Sequence, residues 1–181
     1  MRISYKRVLT GILASMMLVG AANAGDLLVY SSTDADNLKH YMDQFQKDNP
    51  DIKVKVVRES TGTMAAKMMA EKDNPQADVL FEMAATVALN MEAQGMFHPY
   101  TPKGMDKIDQ RYVDKEGEVN WVGNYGWAGC ICWNTVEAKK LGLPKPKSWA
   151  DLTNPVYKGL ISMPNPNSSG TGFLDVSSWI Q

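Results

Sequence analysis

The chain is poor in the side chains that most often do chemistry. Of its 181 residues only two are cysteine and two histidine. No G-x-S-x-G or H-E-x-x-H run occurs, which removes the serine-hydrolase elbow and the helical zinc pair. A histidine base would have to be His40, beside Tyr41 on the flank of a helix, or His98, which precedes Pro99 in a loop. Cys130 and Cys132 lie two apart in the run Trp127 to Trp133, which reads as a strand. Residues at that spacing share a face, and a bridge between them would strain the backbone, so buried, reduced thiols are expected, although an exported address would permit oxidation. Neither histidine has a ligand-like spacing from them, and no metal site is expected. Also missing are a basic stripe, a repeat of fixed period, a low-complexity tract and any long apolar run after the first two dozen residues.

That first stretch has its own logic. Arg2, Lys6 and Arg7 precede an apolar run from Val8 to Val19, and Ala22-Asn23-Ala24 stands before Gly25. This is the pattern of a secretory signal, too short for a membrane anchor, with cleavage expected after Ala24. No cysteine follows at once to take a lipid, so the periplasm of a two-membrane bacterium is the expected address. Taking those three cations from the 19 basic residues leaves 16 against 20 acidic ones, a net charge of −4. Nucleic acid is therefore a poor partner, and the paired lysines at 139/140 and 145/147 read as solvated faces.

From Gly25 the pattern alternates. Leu27 to Tyr30 reads as a buried strand, and Ser31-Ser32-Thr33-Asp34 leads into a helix that Asn49-Pro50 stops. Ile52 to Val57 is a second strand, followed by Ser60-Thr61-Gly62-Thr63 and a helix ending by Asn74-Pro75. Asp78 to Phe81 is a third, and Glu82 opens the way to a helix closing near Gly95. Three β-α units in succession predict a parallel sheet covered by helices. Ligands of such sheets sit beyond the carboxyl ends of the strands, so the turns at Ser31–Thr33, Thr61–Thr63 and Glu82 should share one edge.

The stretch from His98 to Val122 is polar and irregular, and a lobe boundary is expected in the aromatic and glycine-rich segment Trp121 to Trp133 and the Lys, Gly and Pro-rich stretch that follows. The cluster Trp121, Tyr125, Trp127 and Trp133 reads as core between lobes, with Trp127 also able to touch a cleft. The methionines at 64, 68, 69, 83, 91 and 96 suit adaptable core packing. Ser148 caps a short helix over Trp149 to Leu152. Gly159 to Met163 then has the composition of a buried strand, ended by Pro164 and Pro166.

After it comes Asn167-Ser168-Ser169-Gly170-Thr171-Gly172, ahead of the helical apolar positions Phe173, Leu174, Val176 and Trp179. Hydroxyls and glycines at a helix start leave unpaired N–H groups open to an anion. An ordinary capped helix has similar composition. The Lys-Ser/Thr pair of a nucleotide-hydrolysing loop is replaced by Phe173-Leu174, which favours binding over phosphoryl transfer.

Several runs, in order, carry a resemblance: Ala77 to Phe81, Trp133-Asn134-Thr135, Leu141 to Pro144, Ser148 to Leu152, Tyr157-Lys158-Gly159 and Met163 to Gly172. Together they resemble the bacterial extracellular solute-binding proteins of ABC importers, in the branch with ferric-iron, 2-aminoethylphosphonate and sugar-phosphate binders. The resemblance covers Asp26 to Gln181. It implies an α/β, two-lobed periplasmic-binding-protein fold of type II, truncated within the second lobe, since family chains are about twice as long. It also implies a first lobe over 25–126, a crossing strand at 127–134 and the start of a second lobe at 135–181.

By position the family's ligand contacts fall on Ser32, Thr33, Gly62, Thr63, Glu82, Ser168, Ser169, Gly170, Thr171 and Gly172. Glu82 departs from the small residue of many relatives. A carboxylate there would repel phosphate, and it could meet an ammonium, accept from sugar hydroxyls, coordinate iron or simply face solvent. The expected function is capture of a small phosphorylated or phosphonate solute by closure of two lobes, by a monomer with no cofactor and no catalytic residues, for delivery to an inner-membrane permease. Ferric-iron capture is the alternative within the family, and a secreted phosphoester hydrolase the alternative of another class.

Overall fold

A computed structural model describes residues 25–115 and 117–180. The expected export signal, over residues 1–24, and the expected cleavage after Ala24 lie outside the described residues. The molecule begins with strand β1 (Asp26–Ser31), helix α1 (Ala35–Asp48), β2 (Lys53–Arg58), α2 (Thr61–Ala70), β3 (Val79–Phe81) and α3 (Ala85–Glu92). These form a three-stranded parallel sheet in the order β2-β1-β3. The register sets Ser31 opposite Arg58 on one side and Phe81 on the other, so all three strands end at one edge.

Sequence explains the stops. Asn49 closes α1 by donating its side-chain amide and backbone N–H to the Phe45 carbonyl, each at 2.9 Å, and Pro50 has no N–H to continue the ladder. After α3, Gly95 takes φ +67°, its N–H meets the Glu92 carbonyl at 2.8 Å and Met96 N–H meets Met91 at 3.1 Å. That pair of bonds satisfies the last carbonyls, and glycine enters the left-handed region without strain.

β1 is central and its last three residues, Val29, Tyr30 and Ser31, are buried. Leu38 of α1, Met64 of α2, and Ala88 and Met91 of α3 supply the rest of this apolar core, Met64 being wholly inaccessible. Tyr30 crosses from core to surface, donating its hydroxyl to Glu71 Oε2 at 3.0 Å beneath the Lys67 ammonium. Of the methionines expected in the core, Met64 and Met91 are fully buried, whereas Met69 is exposed. It sits on the outer side of α2 within reach of Gln94.

The stretch after α3 runs irregularly through two single turns of 3-10 helix, Met105–Lys107 and Gln110–Tyr112, to an isolated antiparallel bridge between Val113 and Val122. Glu92 ties it down, accepting from Asn120 Nδ2 at 2.8 Å and Trp121 Nε1 at 3.2 Å. Beyond it lie α4 (Thr135–Leu141), 3-10 turns at Ala150–Thr153 and Pro155–Tyr157, and α5 (Gly170–Ile180). Tyr157 is buried edge-on against Trp133 and donates to the Pro144 carbonyl at 2.6 Å.

Two expected strands are not formed. Trp127 to Trp133 and Gly159 to Met163 have strand composition, yet neither has a ladder partner among the described residues. Composition sets a preference, but a strand exists only when a second strand takes its hydrogen bonds. Burial fails for the same reason: Leu160, Ile161 and Met163 are exposed, and so are Cys130 and Cys132, which are free thiols rather than the buried pair expected. Tyr125 and Trp127 are likewise exposed rather than core.

Candidate functional site

The common edge of the sheet is where side chains converge. Ser31 Oγ accepts from Thr33 N–H at 3.1 Å, bending the chain directly after β1. The turn presents Ser32 and Thr33 towards the end of β3. Ser32 Oγ donates to the Glu82 carbonyl at 2.8 Å, and Thr33 Oγ1 donates to Glu82 Oε2. From the irregular stretch, Asn124 Nδ2 reaches Glu82 Oε1 at 2.9 Å. Arg58, last residue of β2, donates from Nε to the Thr33 carbonyl at 2.7 Å and lies 3.7 Å from Asp34.

Glu82 is the one described non-glycine residue with a left-handed backbone, φ +56°. Such a conformation costs about 1–3 kcal/mol and persists where surroundings fix it. Here three hydrogen bonds from Ser32, Thr33 and Asn124 do so. Beside it, burial pushes the Tyr125 hydroxyl above the usual tyrosine range, and the charges of Glu82 and Asp34 push in the same direction.

The start of α5 faces this edge. Asn165 shapes the preceding turn, its carbonyl accepting from Ser168 and Ser169 N–H and its side-chain oxygen from Asn167 N–H. Ser169 is the N-cap, accepting from Gly172 N–H at 3.3 Å. By the geometry of a helix start, the N–H groups of Gly170 and Thr171 have no partner within the helix.

One open hollow of about 1740 Å³ joins these parts, and Ser32, Thr33, Glu82, Ser169, Gly170 and Thr171 all line it. That volume exceeds the ~300–1,000 Å³ of a closed small-ligand pocket and fits an open cleft. The other four residues singled out in the sequence do not line it. Gly62 N–H donates to the Ser168 carbonyl at 3.0 Å, so these two form a backbone contact at the cleft's margin. Thr63 pairs with Ser60, their hydroxyls 3.0 Å apart. Gly172 is buried, and a Cβ there would stand 2.4 Å from the Pro164 carbonyl.

The structure adds Arg58, Asn124 and Tyr125 to the lining. Arg58 was within reach of sequence reasoning, because the edge rule that selects the turn after β1 applies equally to the last residue of β2. Asn124 had no such signal, lying in a segment without periodicity. The arrangement offers hydroxyls, helix-start N–H groups and a guanidinium to an anion, with a fixed carboxylate alongside.

Comparison with known proteins gives the family. The profile of the bacterial extracellular solute-binding protein family matches residues 74–176. An uncharacterized protein of Haemophilus influenzae is 32% identical over 179 residues, covering 96% of this chain and 51% of its own length. A probable ABC transporter periplasmic-binding protein, y4fP, of Sinorhizobium fredii is 30% identical over 138 residues, 76% of this chain and 37% of its own. Among solved structures, the periplasmic binding protein AfuA from Actinobacillus pleuropneumoniae, with exogenous fructose-6-phosphate bound, superposes with a TM-score of 0.68 at 32% identity. That match covers 81% of this chain and 46% of AfuA. The chain thus spans about half the length of the curated relatives it matches or less, and its parallel sheet and flanking helices are part of a type II periplasmic-binding-protein fold. With the matched profile covering more than half of the residues, the chain belongs to the bacterial extracellular solute-binding protein family.

Proposed function

We propose that this protein is the periplasmic substrate-binding component of an ABC importer and captures a small phosphorylated or phosphonate solute. The observation that supports this most is the placement of the α5 start, with Ser169, Gly170 and Thr171, on the same hollow as Ser32, Thr33 and Arg58. Helix-start N–H groups, hydroxyls and a guanidinium are the donors that replace water around a phosphate. The fructose-6-phosphate bound by AfuA agrees with that chemistry.

In this reading residues 25–126 form a first lobe, 127–134 the crossing, and residues from 135 onward the start of a second. Ligand is held as the lobes close, and an inner-membrane permease receives it. The protein binds and releases its solute without altering it. Ferric-iron capture is the second reading; it needs several anionic oxygen ligands, and among the candidate contacts Glu82 alone brings one as a side chain.

The test is thermal unfolding of the full-length protein with phosphate, 2-aminoethylphosphonate, fructose 6-phosphate and ferric iron in separate arms. A ligand at a hundred times its Kd adds about 2.7 kcal/mol to the folded state. A raised midpoint with at least one phosphate or phosphonate compound is expected. Stabilisation by ferric iron alone, or by none of the four, would overturn the proposal.

A further inference from the structure

We propose that Glu82 sets the specificity of this cleft by accepting hydrogen bonds from the hydroxyl groups of a polyhydroxylated phosphate ester, while turning away ligands that bring only anionic oxygen to that point. The inference rests on the phosphate-binding function above and names the ligand class within it.

The geometry has three parts. First, Glu82 is immobilised: its backbone is left-handed, Ser32 holds its carbonyl, and Thr33 and Asn124 each hold one carboxylate oxygen. A carboxylate oxygen accepts two hydrogen bonds, so each retains one direction for a ligand. Two adjacent, fixed acceptors match the two hydroxyls of a vicinal diol, the arrangement by which an acidic residue at a strand end holds a ribose in dinucleotide-binding sheets. Second, Thr33 lies between opposite charges. Arg58 donates to its carbonyl at 2.7 Å while its own hydroxyl donates to Glu82, so guanidinium and carboxylate flank one residue.

A ligand that is anionic at one end and a neutral hydrogen-bond donor at the other satisfies both. An inorganic phosphate in contact with Arg58 places uncompensated oxygen beside Glu82. An ammonium would pair with Glu82 as well, so the surface that favours a hydroxyl-bearing ligand over it is the aromatic one beside the carboxylate. Third, Tyr125 and Trp127 line the same hollow and are more than two-fifths exposed, leaving ring faces free for the C–H face of a sugar.

The experiment is calorimetric titration of the full-length protein and its Glu82→Gln and Glu82→Gly variants with fructose 6-phosphate, inorganic phosphate and 2-aminoethylphosphonate. Glycine occupies the left-handed backbone without strain, so the second variant keeps the fold if glutamine disturbs it. The native protein is expected to prefer the sugar phosphate to inorganic phosphate, and both variants to lower that preference about tenfold or more with phosphate affinity held or improved. An unchanged ratio in the variants, with the native protein still binding phosphate compounds, overturns the role of Glu82 and leaves the phosphate-binding function standing. A loss confined to 2-aminoethylphosphonate overturns the hydroxyl assignment in favour of an ammonium. No binding of any phosphate compound by the native protein overturns both.

Discussion

Gly62 and Ser168 meet backbone to backbone across the mouth of the cleft, and no side chain intervenes because none fits. A Cβ on Gly62 would stand 2.4 Å from the Asn167 carbonyl, and one on Gly170 would stand 2.7 Å from Thr61 Oγ1. Both glycines suggest ligand contact by sequence position, yet Gly62 serves the approach of one part of the chain to the other. Gly62→Ala should therefore destabilise the protein by forcing these two parts of the chain apart. Overpacking of this kind costs about 1–3 kcal/mol. Thermal unfolding of the variant reads the loss, and a midpoint equal to the native one would show that the contact carries no stability. Glu82 teaches a complementary lesson. Its identity and its place after β3 were legible, but its left-handed backbone was not, because glutamate has no local preference for that region. The conformation comes from Ser32, Thr33 and Asn124, which lie some fifty and forty positions away in the chain.

The elements formed where local signals and distant partners agreed. The three β-α units were readable from apolar spacing and from punctuation such as Asn49-Pro50 and Gly95, and all three strands pair as expected. The segments Trp127–Trp133 and Gly159–Met163 had equally good composition and no partner to pair with. Helix α4 shows how far local chemistry can go unaided: Asn134 Oδ1 accepts from Val136 and Glu137 N–H at 3.1 and 3.0 Å, and Gly142 ends the helix at φ +66°. Asn134→Ala should cost about 0.5–2 kcal/mol in denaturant unfolding, the usual worth of such a cap. Ser148 and Asp151 form a reciprocal cap on the following turn, Asp151 Oδ2 accepting from Ser148 N–H at 3.0 Å and from Lys147 N–H at 2.7 Å. The Lys147 N–H, the Ser148 N–H and the Ser148 hydroxyl hold the Asp151 carboxyl below the usual carboxylate range. A depressed folded-state pKa stabilises above the unfolded value and loses that contribution as pH falls through the folded one. The stability difference between native protein and Asp151→Asn should then be present at neutral pH and shrink towards zero in acid. Unfolding midpoints measured across that range decide it, and a gap that persists in acid would reject the carboxylate as its source.

At the scale of the molecule, the described residues pair a well-packed sheet with a less covered second part. Leu160, Ile161, Phe173, Trp179 and Ile180 are all about half exposed or more, a density of apolar surface that soluble proteins ordinarily cover. Trp179 meets Trp149 edge-on at 5.8 Å, which anchors one side of α5 and leaves the other side open. The relatives are about twice as long or more. The cleft itself unites residues from opposite ends of the chain, with Ser32 and Thr33 near one end and Ser169 to Thr171 near the other. Composition suggested each group, and only the sheet's parallel register, which ends β1, β2 and β3 at one edge, brings them together. The central claim is that this edge and the α5 start hold a phosphate between them. A crystal structure of the full-length protein with fructose 6-phosphate tests it most directly. The account predicts phosphate oxygens within about 3 Å of the Gly170 and Thr171 N–H groups and of the Ser32 or Thr33 hydroxyl, the usual hydrogen-bond distance, with sugar hydroxyls on Glu82. A phosphate seated away from the α5 start, or a sugar placed outside the cleft, would contradict it.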